Sequence, residues 1–497
     1  MGQRVMVIGA GIGGLTAGAL LARRGFDVLV LEQAAVIGGC ASTFKRRGFT
    51  FDVGATQVAG LEPGGIHHRI FQELELPIPA ATFCDPACAV YLPDEREPIQ
   101  AWRDPEKWQQ ERQRQFPGSE PFWQCLSRLF DISWRFQARE PVLPPRTVWD
   151  LSKLLAAVRP DTLLTIPFSL LTVGDLLNLF GLGQDDRLRR YLDLQLKLYS
   201  QVEARETALL YAATALAMSQ APFGLYHLKG SMQVLADRLR EGLENFGGKL
   251  LTRHRVENIH LEHGQAKSVT IRNFKTGATW IETADHIVAN TTVQNLSQLL
   301  GEQAPIPYKQ RIEKLPPASG AFVVYLGVQE AAIPKDCPPH LQFLYDNDGP
   351  IAENNSLFVS VSQAGDGRAP EGCRTIIASS FTEPILWWGD DVSYQARKEN
   401  YTQTALEHLG RYFHLTPETI RHVEAATPRT FARYTARDLG IVGGLGQRLS
   451  TFGPFGLATR TPISRLWLVG DSVHPGEGTA GVSYGAWTVV EQILAEG

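Results

Sequence analysis

Near the start of the chain, Gly9-Ala10-Gly11-Ile12-Gly13-Gly14 places glycines where an apolar strand gives way to a helix. At this spacing backbone amides and a helix N-terminus can meet a pyrophosphate. Gly9 permits the tight turn, Gly11 lets phosphates approach the backbone, and Gly14 lets the helix pack close to the strand, with Gly13 in the same run. Glu32 ends the next strand, where a carboxylate suits both hydroxyls of an adenosine ribose and repels a 2′-phosphate. This motif alone serves NAD and FAD equally.

The C-terminal run Leu466-Trp467-Leu468-Val469-Gly470-Asp471-Ser472 separates the two. A strand ending in Gly470-Asp471 suits the ribityl hydroxyls of a flavin. The following His474-Pro475-Gly476-Glu477-Gly478-Thr479-Ala480-Gly481-Val482 is dense in glycine and opens a helix. Amides around Gly478, Ala480, Gly481 and Val482 can then face the electron-rich pyrimidine edge of the ring and stabilise reduced flavin. Paired with the first motif, this selects FAD. Glu477, a carboxylate in the same loop, reads either as a solvated turn residue or as the candidate proton acceptor.

Elements must bring these ends together. A strand at 4–8, a helix at 15–24 and a strand at 27–32 read as a βαβ opening. Residues 100–225 are rich in Leu, Trp, Arg and Gln with helical spacing at 123–136 and 186–199. An α/β texture returns at 229–291, with a helix over 232–245 ended by Gly247-Gly248. Short β-rich runs follow at 321–328, 342–345, 357–362 and 375–380, then a helix at 393–413, a strand at 466–469 and a helix at 482–494. The expected fold class is α/β: a Rossmann-like, doubly wound parallel sheet, an antiparallel-sheet substrate domain and a helical insert. The expected domains are 1–60, 228–295 and 455–497 for FAD, 61–100 and 296–454 for the substrate, and 101–227 for the insert.

The chain has 497 residues, beyond the usual ceiling for a single core, and 48 basic against 52 acidic residues give a net charge of −4. Without a basic run, nucleic-acid binding is disfavoured. The six cysteines form no CxxC pair and no signal peptide is expected, which reads as reduced thiols. No apolar stretch is long enough to span a bilayer. His67-His68 lacks partners at metal spacing, so a solvated or capping role is expected and no metal is assigned. Trp387-Trp388 and Tyr394 suit a core or an apolar tunnel.

Further motifs carry a resemblance. Gly38-Gly39-Cys40-Ala41-Ser42-Thr43, then Gly48-Phe49-Thr50-Phe51-Asp52-Val53-Gly54, and the C-terminal His-Pro-Gly-x-Gly resemble the phytoene desaturase and carotenoid isomerase family of FAD-dependent oxidoreductases. Ala55-Thr56-Gln57-Val58-Ala59-Gly60, Lys229-Gly230-Ser231-Met232 and Gly470-Asp471-Ser472 most resemble members that dehydrogenate a C-3′,4′ bond. The resemblance implies an amine-oxidase-like fold and adds Gln33, Gly38, Gly39 and Val256 to the FAD contacts. It also implies an acyclic carotenoid end group as substrate, hydride transfer to flavin N5, and quinone or oxygen as electron acceptor. The segments 427–429 and 433–444 resemble one lying near the flavin. Cys40 departs from the pattern, standing where many relatives carry a basic residue, which leaves Lys45, Arg46 or Arg47 as substitutes. Glu477 likewise replaces a small residue or glutamine.

The segment 151–183 is leucine-rich, interrupted by Pro160 and Pro167, with Lys153 and Arg159 placed to meet anionic headgroups. It reads either as insert core or as an interfacial segment. The latter gives peripheral attachment to a membrane surface on its cytoplasmic side. A redox-neutral carotenoid isomerase, an FAD amine oxidase and a non-enzymatic prenyl-binding escort protein are alternatives on the same motifs.

Overall fold

The computed structural model describes residues 2–496. The opening unit forms as β1 (Arg4–Ile8), α1 (Ile12–Arg23) and β2 (Asp27–Glu32). Both strands are apolar runs covered on two faces, as a parallel sheet requires. β1 is the middle strand of a five-stranded parallel sheet in the order Leu466–Leu468, His286–Ala289, β1, β2, Lys249–Thr252. All three segments expected in the FAD domain therefore contribute strands. α1 is enclosed by Gln233–Asn245 and Thr479–Leu494, so it is apolar all round. Residues 61–76, expected in the substrate domain, pack instead on this core through Leu61, Ile70, Phe71 and Leu74.

The β-rich unit is a seven-stranded sheet in the order Ile420–Ala426, Gly320–Gln329, Cys373–Thr382, Ser356–Val361, His340–Leu344, Cys88–Tyr91, Ile99–Ala101. Its neighbours are antiparallel except that His340–Leu344 and Cys88–Tyr91 run parallel. The insert supplies Glu120–Gln137, Asp186–Ser200 and Leu209–Ala217. Trp123, Leu126 and Phe130 recur at helical spacing and are buried with Val90, Ile99 and Leu344, so insert and sheet share a core.

Within the segment 151–183, Leu176 and Leu177 are buried, whereas Leu155 is 64% exposed, Leu163 53%, Leu164 66%, Ile166 57%, Leu170 60% and Leu179 69%. Single exposed leucines are ordinary, and only contiguous exposed apolar patches are associated with interaction surfaces. Among the described residues no helix is long and apolar enough to cross a membrane.

A buried charge network ties the units together. Arg368 donates from Nη1 to Asp52 Oδ2 at 2.5 Å and from Nη2 to the Leu228 carbonyl at 3.0 Å. Asp52 Oδ1 accepts the Met232 amide at 2.8 Å, and Asp366 meets His227 Nε2 at 3.1 Å. Two of the motif segments that carry the family resemblance, 48–54 and 229–232, are thus held to each other.

Candidate active site

A cavity of about 1930 Å³ runs between the two glycine-rich motifs and continues under the insert. Of the expected cofactor contacts, Gly9, Gly11, Gly13, Glu32, Gln33, Gly38, Gly39, Val256, Gly470, Asp471, Gly478, Ala480, Gly481 and Val482 all line it. Gly14 does not. A Cβ there would run into the Gly9 carbonyl oxygen and lie 3.0 Å from Asn290 Cβ, so Gly14 is the close-packing glycine its position in the motif predicts. Gly9 sits at φ +93°, a conformation L side chains rarely adopt.

Glu32 closes β2 with its carboxylate accepting the Ala10 amide at 2.8 Å and the Ala34 amide at 2.7 Å. Burial pushes its carboxyl up, and those backbone bonds oppose the rise. It lines the cavity, where ribose hydroxyls would be its further donors. Asp471 pairs with Arg437 at 2.8 Å. Bare glycine backbone, a helix N-terminus and a carboxylate at each half of one cavity fit FAD. The residues on the Gly9 side would hold the ADP half and those on the Gly470 side the ring half.

The family description "flavin containing amine oxidoreductase" matches residues 12–494. The chain belongs to that family. This flavin oxidoreductase is 28% identical to prolycopene isomerase 2 of an Oncidium hybrid cultivar over 99% of this chain and 84% of that protein. It is 26% identical to 4,4′-diapophytoene desaturase of a Methylomonas species, over 96% and 92%. Its fold matches the solved structure of cyclohexylamine oxidase from Brevibacterium oxydans with a TM-score of 0.62 at 15% identity, over 99% of this chain and 100% of that one. The protein is an FAD-dependent oxidoreductase of the kind the motifs predicted, and a flavin-free escort role falls away.

In this flavin oxidoreductase Glu477 lies in the cavity wall. Its Oε2 accepts from Gln201 Nε2 at 2.8 Å, while Oε1 is buried without a partner. Burial pushes the carboxyl well above the usual carboxylate range, Asp471 adds to the rise, and the Gln201 bond and Arg437 oppose it. Apolar wall residues include Trp134, Tyr211, Met218, Phe381 and Phe452. Among the described residues no cluster of His, Cys, Asp or Glu could hold a metal.

Several residues depart from expectation. Of Lys45, Arg46 and Arg47 only Arg46 lines the cavity, and it pairs with Glu424 at 3.4 Å. Trp387 is core, stacked on Phe322 with ring centroids 5.7 Å apart, whereas its neighbour Trp388 lines the cavity and Tyr394 does not. Asn290 and Gln201 also line the cavity, as does Arg437 of the 433–444 segment. Asn290 follows the strand His286–Ala289 and stands against the glycine turn, donating to the Gly9 carbonyl at 3.4 Å. No local pattern announces such a residue.

His67 is a correction. It is fully buried, not solvated, bridging the Ala59 carbonyl at 2.8 Å and Ser483 Oγ at 3.2 Å. Burial lowers its imidazole from 6.5 to about 4, and the same holds for His474 in the cavity wall. Unfolded, each histidine binds its proton near 6.5; folded, only near 4. Between these values the unfolded state holds more protons, so stability falls as the pH drops. Each histidine contributes a loss on the order of 3 kcal/mol by pH 4. Denaturant unfolding across pH 7 to 4 checks this, with His67→Asn flattening the slope; an unchanged slope refutes it.

Proposed function

We propose that this enzyme dehydrogenates the C-3′,4′ bond of an acyclic carotenoid end group in carotenoid biosynthesis. The observation that carries the reading is one cavity holding both the FAD motifs and an apolar chamber walled by the insert and the sheet. That shape suits a long hydrocarbon. Relatives named as carotenoid isomerases and desaturases support the substrate class. Bound flavin supplies hydride acceptance at N5, with quinone or oxygen restoring it. The chain's own residues exclude water along the polyene, hold it flat, and provide at Glu477 a base for the proton left behind.

Expression in a cell making defined acyclic carotenoids tests the reading. The expected pigment lacks two hydrogens and absorbs at longer wavelength. An isomer of unchanged mass would instead establish the redox-neutral isomerase, a second reading that the prolycopene isomerase relatives favour.

Glu477 must be ionised to take a proton. Because burial holds its carboxyl high, turnover is expected to climb with pH through a value well above the ordinary carboxylate range. Glu477→Gln abolishes that limb while FAD stays bound. A variant with full turnover and an unchanged limb removes Glu477 from the mechanism.

Peripheral membrane attachment through the exposed leucines belongs to the same proposal, since the substrate partitions into lipid. Replacing Leu155 and Leu164 together by glutamate is expected to cut co-sedimentation with anionic vesicles by at least about tenfold. Flavin absorption should remain. Unaltered sedimentation would rule this face out.

A further inference from the structure

We infer that Gln201 is a positioning residue for Glu477, holding its carboxyl in one orientation across the gap between the insert and the C-terminal loop. The inference rests on the proposed role of Glu477 in carotenoid dehydrogenation. Gln201 caps the C-terminus of Asp186–Ser200 in the left-handed region, at φ +66°, and lines the cavity at 5% exposure. A helix end turned this way is normally given to glycine or asparagine. Here the turn sends a buried amide toward Glu477, and Nε2 donates to Oε2 at 2.8 Å. Among the described residues no other hydrogen bond holds either side-chain head: Gln201 Oε1 and Glu477 Oε1 are both buried without partners.

A third element makes room for this bond. Gly443 sits at φ +68°, and a Cβ there would press into both Gln201 Nε2 and Glu477 Oε2. Three segments far apart in sequence therefore converge on one carboxyl. The charged or titratable groups that act on it are Asp471 of its own loop, Arg437 from the 428–444 segment, and Tyr211 of Leu209–Ala217. Among the described residues only Gln201 gives Glu477 a hydrogen bond. An N–H donor favours the ionised carboxyl, so its removal makes Glu477 harder to ionise. The bond also fixes the torsions of a side chain that otherwise samples several rotamers.

The test uses the FAD-loaded enzyme and four variants: Gln201→Met, which keeps the length and loses the amide, Gly443→Ala, which intrudes on the same bond from a third segment, Glu477→Gln, and Gln201→Met with Glu477→Gln. An infrared pH titration follows the protonated carboxyl band that disappears in Glu477→Gln. In Gln201→Met this band is expected to titrate about one pH unit higher. Turnover of an acyclic carotene at neutral pH should fall roughly tenfold with FAD retained, and the double variant should be no worse than Glu477→Gln alone. Gly443→Ala should reproduce the upward shift, keeping the test open if Gln201→Met folds poorly. An unmoved infrared titration in both variants overturns the proposal. So does an equal loss of turnover with and without Glu477. If the infrared shift appears but no carotene is consumed, the functional reading fails while the positioning role stands.

Discussion

Replacing Arg368 by leucine is expected to cost this protein about 3–5 kcal/mol, the range for removing one partner of a buried ion pair. Arg368 is 3% exposed and Asp52 is fully buried. Burial already pushes the Asp52 carboxyl up, and Arg368 is the main influence restraining it. Without the guanidinium, Asp52 either remains charged in an apolar setting or takes up a proton, and the Leu228 carbonyl loses a donor. Arg368, in the loop after Ser356–Val361, contacts Asp52 of the 48–54 hairpin and the strand Tyr226–Leu228, so the loss loosens the junction between the flavin core and the substrate sheet. Urea unfolding of the FAD-bound enzyme measures it. Adding Asp52→Asn to Arg368→Leu should recover part of the stability, because the stranded charge is gone. A cost below about 1 kcal/mol for the single variant would mean that the pair contributes little beyond its own desolvation.

The second large effect concerns Gly14→Ala. A methyl at this position meets backbone, the Gly9 carbonyl oxygen, and not the flexible end of a side chain. It also falls 3.0 Å from Asn290 Cβ and 3.1 Å from Asn290 Nδ2. Relief requires α1 to move off β1, and α1 is wedged between Gln233–Asn245 and Thr479–Leu494. We expect a loss of about 3 kcal/mol or more, at the upper end for overpacking, and purification of a colourless protein. The absorption spectrum reports the cofactor and thermal unfolding reports the fold. A yellow Gly14→Ala enzyme of unaltered stability would show that the helix and strand have slack here.

Much of the cofactor site is legible in the sequence because its determinants are local. A turn needing positive φ demands glycine at Gly9, a strand must end where Glu32 begins its work, and a helix N-terminus must follow Gly11. Each requirement spans a few residues, so spacing alone records it. The C-terminal loop from Gly470 to Val482 is legible for the same reason. Short apolar runs and helical spacing likewise delimit most elements, as at His286–Ala289 and Asp186–Ser200.

What the sequence leaves open are meetings between distant segments. The hydrogen bond from Gln201 to Glu477 joins residues 276 positions apart, and the Arg368 to Asp52 pair spans 316. His67 reads as a surface residue beside His68 until Thr479–Leu494 closes over it and Ser483 meets its ring. The leucines of 151–183 suit either a core or a lipid surface, and the local pattern is the same for both. By itself the sequence determined a flavin site built from two glycine-rich turns, because backbone conformation and phosphate contact are local demands. The tertiary structure alone decided which leucines stay outside, which histidine is sealed in, and which amide holds Glu477, because burial depends on what the rest of the chain packs against each residue.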